Sequence, residues 1–316
     1  MDIRILMTAA LMAAALHMPV CLASAQDDGK SENPQAEAYA EKYDLLLSRL
    51  GPDGVGIETL LDKWAAAAPD DIRMLKARFS YYFTKAQRTE VVPKDMKKFM
   101  GADPVFTLKD STGNDVRYFQ EMFYDDSLYT LSMGYLDKAI RLDSDRLDLR
   151  VLKATSLISY EKESPDMALA YLEKLIDENV LVKGKWKYPG VEVTDTVFKD
   201  IVQEYCYSFF NIGSDKSFDA FYDLSVKMLD YYPGTAVFMD NIGSYYLVVK
   251  KDEKTALKYY NKVLKKNPED YIAVKNCVII ARKQKNAKLE KKYLQMLVAC
   301  TDGTEKAAAE ARLKAL

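Results

Sequence analysis

The chain has 316 residues, of which 49% are hydrophobic and 29% charged, and a formal net charge of −2. That length fits two ordinary domains or one solenoid. The one histidine is His17, so the rest of the chain can build neither Ser-His-Asp or Cys-His nucleophilic machinery nor a histidine-ligated metal site.

Arg4, the apolar run from Ile5 to Leu16 and the small residues Ala23-Ser24-Ala25 predict a signal peptide over 1–25, cleaved before Gln26. The expected product is periplasmic or secreted, with a disordered leader over 26–35. Cys21 offers a lipoprotein alternative, but Met18-Pro19-Val20 is a poor lipid-attachment sequence. No later stretch is apolar enough to span a membrane. Cys206, Cys277 and Cys300 follow the leader. An odd count argues against a full disulfide framework, although one bridge stays open. Cys206 and Cys277 lie in apolar helical patterns and read as buried small hydrophobes.

Helical periodicity runs from Ala36 to Leu50 and stops at Gly51-Pro52-Asp53-Gly54. Further helices are predicted over 57–68 and 72–87. Residues 89–118 lose the helical period. Val105 to Leu108 and Val116 to Phe119, with Ser111-Thr112-Gly113-Asn114 between them, predict an inserted β-hairpin. This edge could dock a strand or merely decorate the helices. Helices return from Asp125 or Asp126, from Asp145 and after Ser164-Pro165. A second irregular insert covers 180–194 and holds Lys183, Lys185, Trp186, Lys187 and Tyr188. Helices then follow over 195–212, 218–232, 270–284 and 287–299, with a last one over 304–316.

Residues 237–268 carry the strongest pattern. One helix has Phe238, Ile242, Tyr245, Tyr246 and Val249 at three-to-four spacing, and a second has Ala256, Leu257, Tyr260, Val263 and Leu264. Gly243, Tyr246, Ala256, Tyr260 and the closing Asn267-Pro268 match a tetratricopeptide repeat (TPR), with Met239 at the usual Trp position and one extra residue in the turn. The chain resembles secreted bacterial TPR proteins of unassigned function, most clearly over 217–300. The resemblance implies an all-α, TPR-like solenoid over 36–316, of about six helix pairs with an inserted β-hairpin and a C-terminal capping helix. It implies a protein or peptide partner held in a concave groove lined by the first helix of each pair, and no enzyme activity or cofactor.

Four features compete for function. Asn241 and Asn276 lie 35 residues apart at equivalent positions, and Lys275 precedes Asn276. This is similar to part of the carboxylate clamp of some TPR proteins, in which asparagine grips peptide backbone and lysine meets a carboxylate. Asp240 breaks the pattern, and a structural asparagine is the competing reading. Lys250 to Lys292 holds fourteen Lys and Arg against five Asp and Glu, a balance of +9 in a chain of −2. That asymmetry suits an anionic surface or an acidic protein, and solvated helix faces are the alternative. Nucleic acid is not expected, since no reading motif is present. Trp186 and Tyr188 could stack on a sugar, making a glycan-binding protein the alternative function; Trp186 could instead fold back as a lid. The acidic pairs Asp70-Asp71 and Asp125-Asp126 sit where helix starts favour carboxylates, so acid–base chemistry is not expected of them.

Overall fold

The computed structural model describes residues 33–182 and 184–316. The signal peptide, its cleavage site, Cys21 and most of the leader lie outside the described residues. Thirteen α-helices and three strands are seen among those residues, and they fall into two compact units: 33–198 with 211–213, and 199–210 with 214–316. The helices form six successive pairs and a final cap. Among the described residues no helix is long and apolar enough to cross a membrane.

In the first unit α1 (Pro34–Leu50) packs on α2 (Ile57–Ala67), and α3 (Ile72–Ala86) on α4 (Asp126–Leu142). The Asn33 side chain caps α1 and Pro34 occupies its first turn, so the helix starts inside the segment expected to be disordered. Helix α3 is buried nearly all round. Its buried charges are paired: Arg73 with Glu37 at 2.9 Å and Arg78 with Asp62 at 2.7 Å, although the Arg78 Nε has no hydrogen-bond partner among the described residues. Asp71 caps α3 and Asp125 caps α4, so both act as helix starters. Helix α5 (Leu147–Glu161) packs on α6 (Asp166–Val182).

The insert between α3 and α4 is larger than a hairpin. Strand β1 (Gln87–Lys94) continues directly from α3 and pairs antiparallel with β3 (Asp115–Tyr124), which also pairs with β2 (Phe106–Lys109). The expected β2–β3 hairpin is present, and its turn is built by the Asp110 carboxylate, which accepts from Thr112 and Asn114. The β1 strand is the unexpected part. Glu121 on β3 takes Lys94 at 2.8 Å and Lys162 at 2.6 Å, tying the sheet to the end of α5.

The second unit holds most of α7 (Asp195–Ile212), then α8 (Asp215–Tyr231), α9 (Ala236–Tyr245), α10 (Glu253–Lys266), α11 (Tyr271–Lys283), α12 (Ala287–Ala299) and α13 (Gly303–Lys314). The extra residue of the clearest repeat is absorbed at Tyr246–Lys250, a π-helical turn that prolongs α9. One inserted residue is what an i→i+5 turn accommodates. The match at Gly243 also has a steric cause. A Cβ there would lie 2.7 Å from the buried Tyr260 ring, so only glycine lets α10 approach α9. Met239, Tyr260, Val274, Cys277, Tyr293 and Leu297 share one apolar core in this unit.

Candidate functional site

Both asparagines of the clamp pattern stand in the first helix of their pair, and both point inward. Asn241 is fully buried; its Nδ2 donates to Gln203 Oε1 at 2.7 Å and to Ser225 Oγ at 3.1 Å, and its Oδ1 accepts from Gln203 Nε2. Asn276 is 2% exposed. Both side chains are buried away from the surface, and Asn241 would in addition have to break its hydrogen bonds to bind a partner. The structural reading of Asn241 and Asn276 replaces the clamp.

Lys275 does meet a carboxylate, but one from its own chain. Its Nζ lies 2.9 Å from Glu305 Oε1 on α13, and Tyr271 Oη donates to Glu305 Oε2 at 2.8 Å. A second carboxylate nearby is held by arginines. Glu290 on α12 is almost fully buried and takes Arg282 at 3.0 Å and Arg312 at 2.8 Å. The hydrogen bond from Arg312 is the main cause that holds the Glu290 carboxyl below its ordinary pKa. Sequence reasoning found Lys275 and missed Glu305, Glu290 and Arg312. The signal was there as spacing: Glu305, Ala309 and Arg312 fall on one helical face.

The basic stretch is partly a free surface. On α10, Lys254, Lys258, Lys262 and Lys265 are exposed and recur at three-to-four spacing. Lys258, Lys262 and Lys265 form no ion pair among the described residues. Lys288, Lys291 and Lys292 are exposed on α12. Lys283 and Arg282 are engaged by Glu253 and Glu290.

The aromatic insert is pinned in the first unit. Lys187 N donates to Asp145 O at 2.8 Å and Leu147 N to Lys187 O at 2.9 Å, one rung of strand-like pairing with the α4–α5 connection. Trp186 is buried at 6% exposure and donates Nε1–H to Asn179 Oδ1 at 2.8 Å. It folds back against the unit as a lid, with only a small part of its surface left exposed. Tyr188 is half-buried and lines, with Trp186, Asp143, Arg146 and Val193, an open cavity of about 520 Å³.

Cys206, Cys277 and Cys300 are all free thiols. Burial pushes Cys206 and Cys277 up to about 12, which keeps them unreactive. Among the described residues no group of three or more His, Cys, Asp and Glu could hold a metal ion.

No family model matches the chain, and no curated protein matches it. Among solved structures, the human IFIT1 dimer with m7Gppp-AAAA aligns with a TM-score of 0.32 and 14% identity, over 86% of this chain and 52% of that one. The chain thus spans about half the length of that neighbour. The flexible tandem repeat domain of a bacterial cellulose synthase component aligns with a TM-score of 0.26 and 13% identity, over 89% and 93%. These are distant likenesses, and the TPR-like architecture rests on the helix pairs themselves.

Proposed function

We propose that this chain is an exported, non-enzymatic TPR-like scaffold that binds a protein partner. The observation that carries this reading is the paired-helix architecture of residues 199–316. Each pair buries its apolar stripe on the next pair, the last is closed by a cap, and the outward faces keep charged side chains for recognition. Unpaired lysines on α10 favour an acidic partner.

Export and the partner's identity are tested together. The tagged full chain is crosslinked in cells, its location is read by fractionation, and the proteins held are identified by mass spectrometry. The expected result is a reproducible envelope protein crosslinked to the second unit. Recovery of the chain alone, or a cytoplasmic location, overturns the proposal.

A further inference from the structure

Helix α13 is the least anchored helix of the second unit. It buries one residue, Ala309, with Leu313 half-buried beside it. Asp302 precedes it without a side-chain capping bond, whereas Ser214, Asp252, Asp270 and Asn286 cap α8, α10, α11 and α12. Its remaining hold is polar: Glu305 on Lys275 and Tyr271, and Arg312 on Glu290. The Lys275–Glu305 pair is partly exposed on both sides, at 23% and 37%, and contributes little, whereas Arg312 grips the buried Glu290 with two hydrogen bonds and is the firmer of the two holds. A short, uncapped, weakly buried helix opens more readily than the core beneath it.

The surface under α13 also tolerates its loss. Glu290 keeps Arg282 at 3.0 Å when Arg312 leaves. Lys275 keeps the hydroxyl of Tyr271 one turn away. No charge is stranded in the core, which is the usual cost of breaking a buried pair.

We propose that the face of α11 and α12 bearing Tyr271, Lys275 and Glu290 is a docking site for a partner protein's helix, with α13 as its displaceable occupant. The partner's chemistry is set by that occupant: an acidic residue, a small residue four places later and an arginine three places after that, all on one face. The proposal rests on the scaffold reading and names its site.

The test uses the full chain and a fluorescent peptide of residues 301–316 as the probe. The Glu305→Ala/Arg312→Ala variant weakens the resident helix, and anisotropy reads peptide binding. The peptide should bind this variant at least tenfold more tightly than wild type. Adding Lys275→Glu should abolish the gain, and a peptide carrying Glu305→Lys should restore it. Equal binding to all chains, or none, overturns the site. Hydrogen exchange on wild type provides a second readout should the variant unfold. Amides of α13 should exchange at least tenfold faster than those of α11 and α12, and equal protection overturns the proposal. A dimer that exchanges α13 between copies, seen by light scattering, would give the site to a second chain and remove the foreign partner. A crosslinked envelope partner indifferent to Lys275 would leave the scaffold standing and remove only this site.

Discussion

Asp240 and Asn241 are neighbours on α9, and both are buried, yet only the asparagine is fully hydrogen-bonded. Asp240 is 4% exposed, and its Oδ1 has no partner among the described residues. Burial, then the negative Asp270 side chain at the start of α11, raises its pKa from 3.8 to about 9. The folded chain therefore holds a proton on Asp240 that the unfolded chain releases near 3.8. Between those two values the unfolded state binds fewer protons, so this group makes stability fall as pH rises, by up to about 1.4 kcal/mol per pH unit. Its contribution is greatest below pH 3.8 and is lost by about pH 9. Asp240→Asn keeps a donor toward Asp270 and removes the titration. It should stabilise the protein at neutral pH by at least about 1 kcal/mol and flatten the pH dependence. Urea unfolding at pH 5, 7 and 9 checks this; a gap between wild type and variant that does not widen with pH would sink it. The sequence leaves Asn241 open between the clamp and the structural reading. A 35-residue spacing identifies the same position in two repeats, but not whether that position faces the groove or the adjacent pair. Gln203, which satisfies Asn241, lies two helices earlier and has no periodic link to it.

At the scale of elements, the helices were legible because each carries its own apolar period and stop signals, as at Gly51 and Pro268. The β2–β3 hairpin was legible from its turn chemistry. Strand β1 was not, because QRTEVVPK has one short β-branched run and a proline, and its pairing partner is supplied by β3 some thirty residues later. Nor was α13's attachment, since its alanine-rich sequence shows a helix but not the charges it meets. The sheet makes its own prediction. Glu121 is 11% exposed, and the hydrogen bonds from Lys162 and Lys94 outweigh the cost of burial and hold its pKa below 4.5. This carboxylate contributes stability above pH 4.5 that is lost as pH falls through its folded value. Glu121→Ala leaves both lysines without their carboxylate and should cost about 1–3 kcal/mol locally. Hydrogen exchange should speed up in 87–124 and at the end of α5 while α1 and α2 keep their protection. Uniform loosening of all of these would show that the triad does not anchor the sheet.

At the scale of the whole molecule, a net charge of −2 and a pI of about 5.7 describe an acidic protein that polyanions should repel. The distribution argues otherwise. Residues 250–292 carry +9, so the remainder carries −11. Salt screens charges beyond roughly 8 Å at physiological ionic strength, so a ligand touching α10 feels Lys254, Lys258, Lys262 and Lys265 rather than the distant acids. Three of those lysines have no ion pair to neutralise them among the described residues, and their release of counterions is the driving term. The protein should therefore be retained on a sulfated polyanion matrix at low salt despite its pI. Replacing the four lysines by glutamate takes the segment from +9 to +1 and should abolish retention, while reversing the exposed Lys42, Arg49 and Lys63 of α1 and α2 should not. Exposed positions on a helix surface usually change stability by less than about 0.5 kcal/mol, so lost retention with an unchanged melting curve would assign the effect to the field itself. Retention that survives the four reversals would mean that the basic stretch is only a solvated face, and an acidic partner would then have to be recognised elsewhere on the chain.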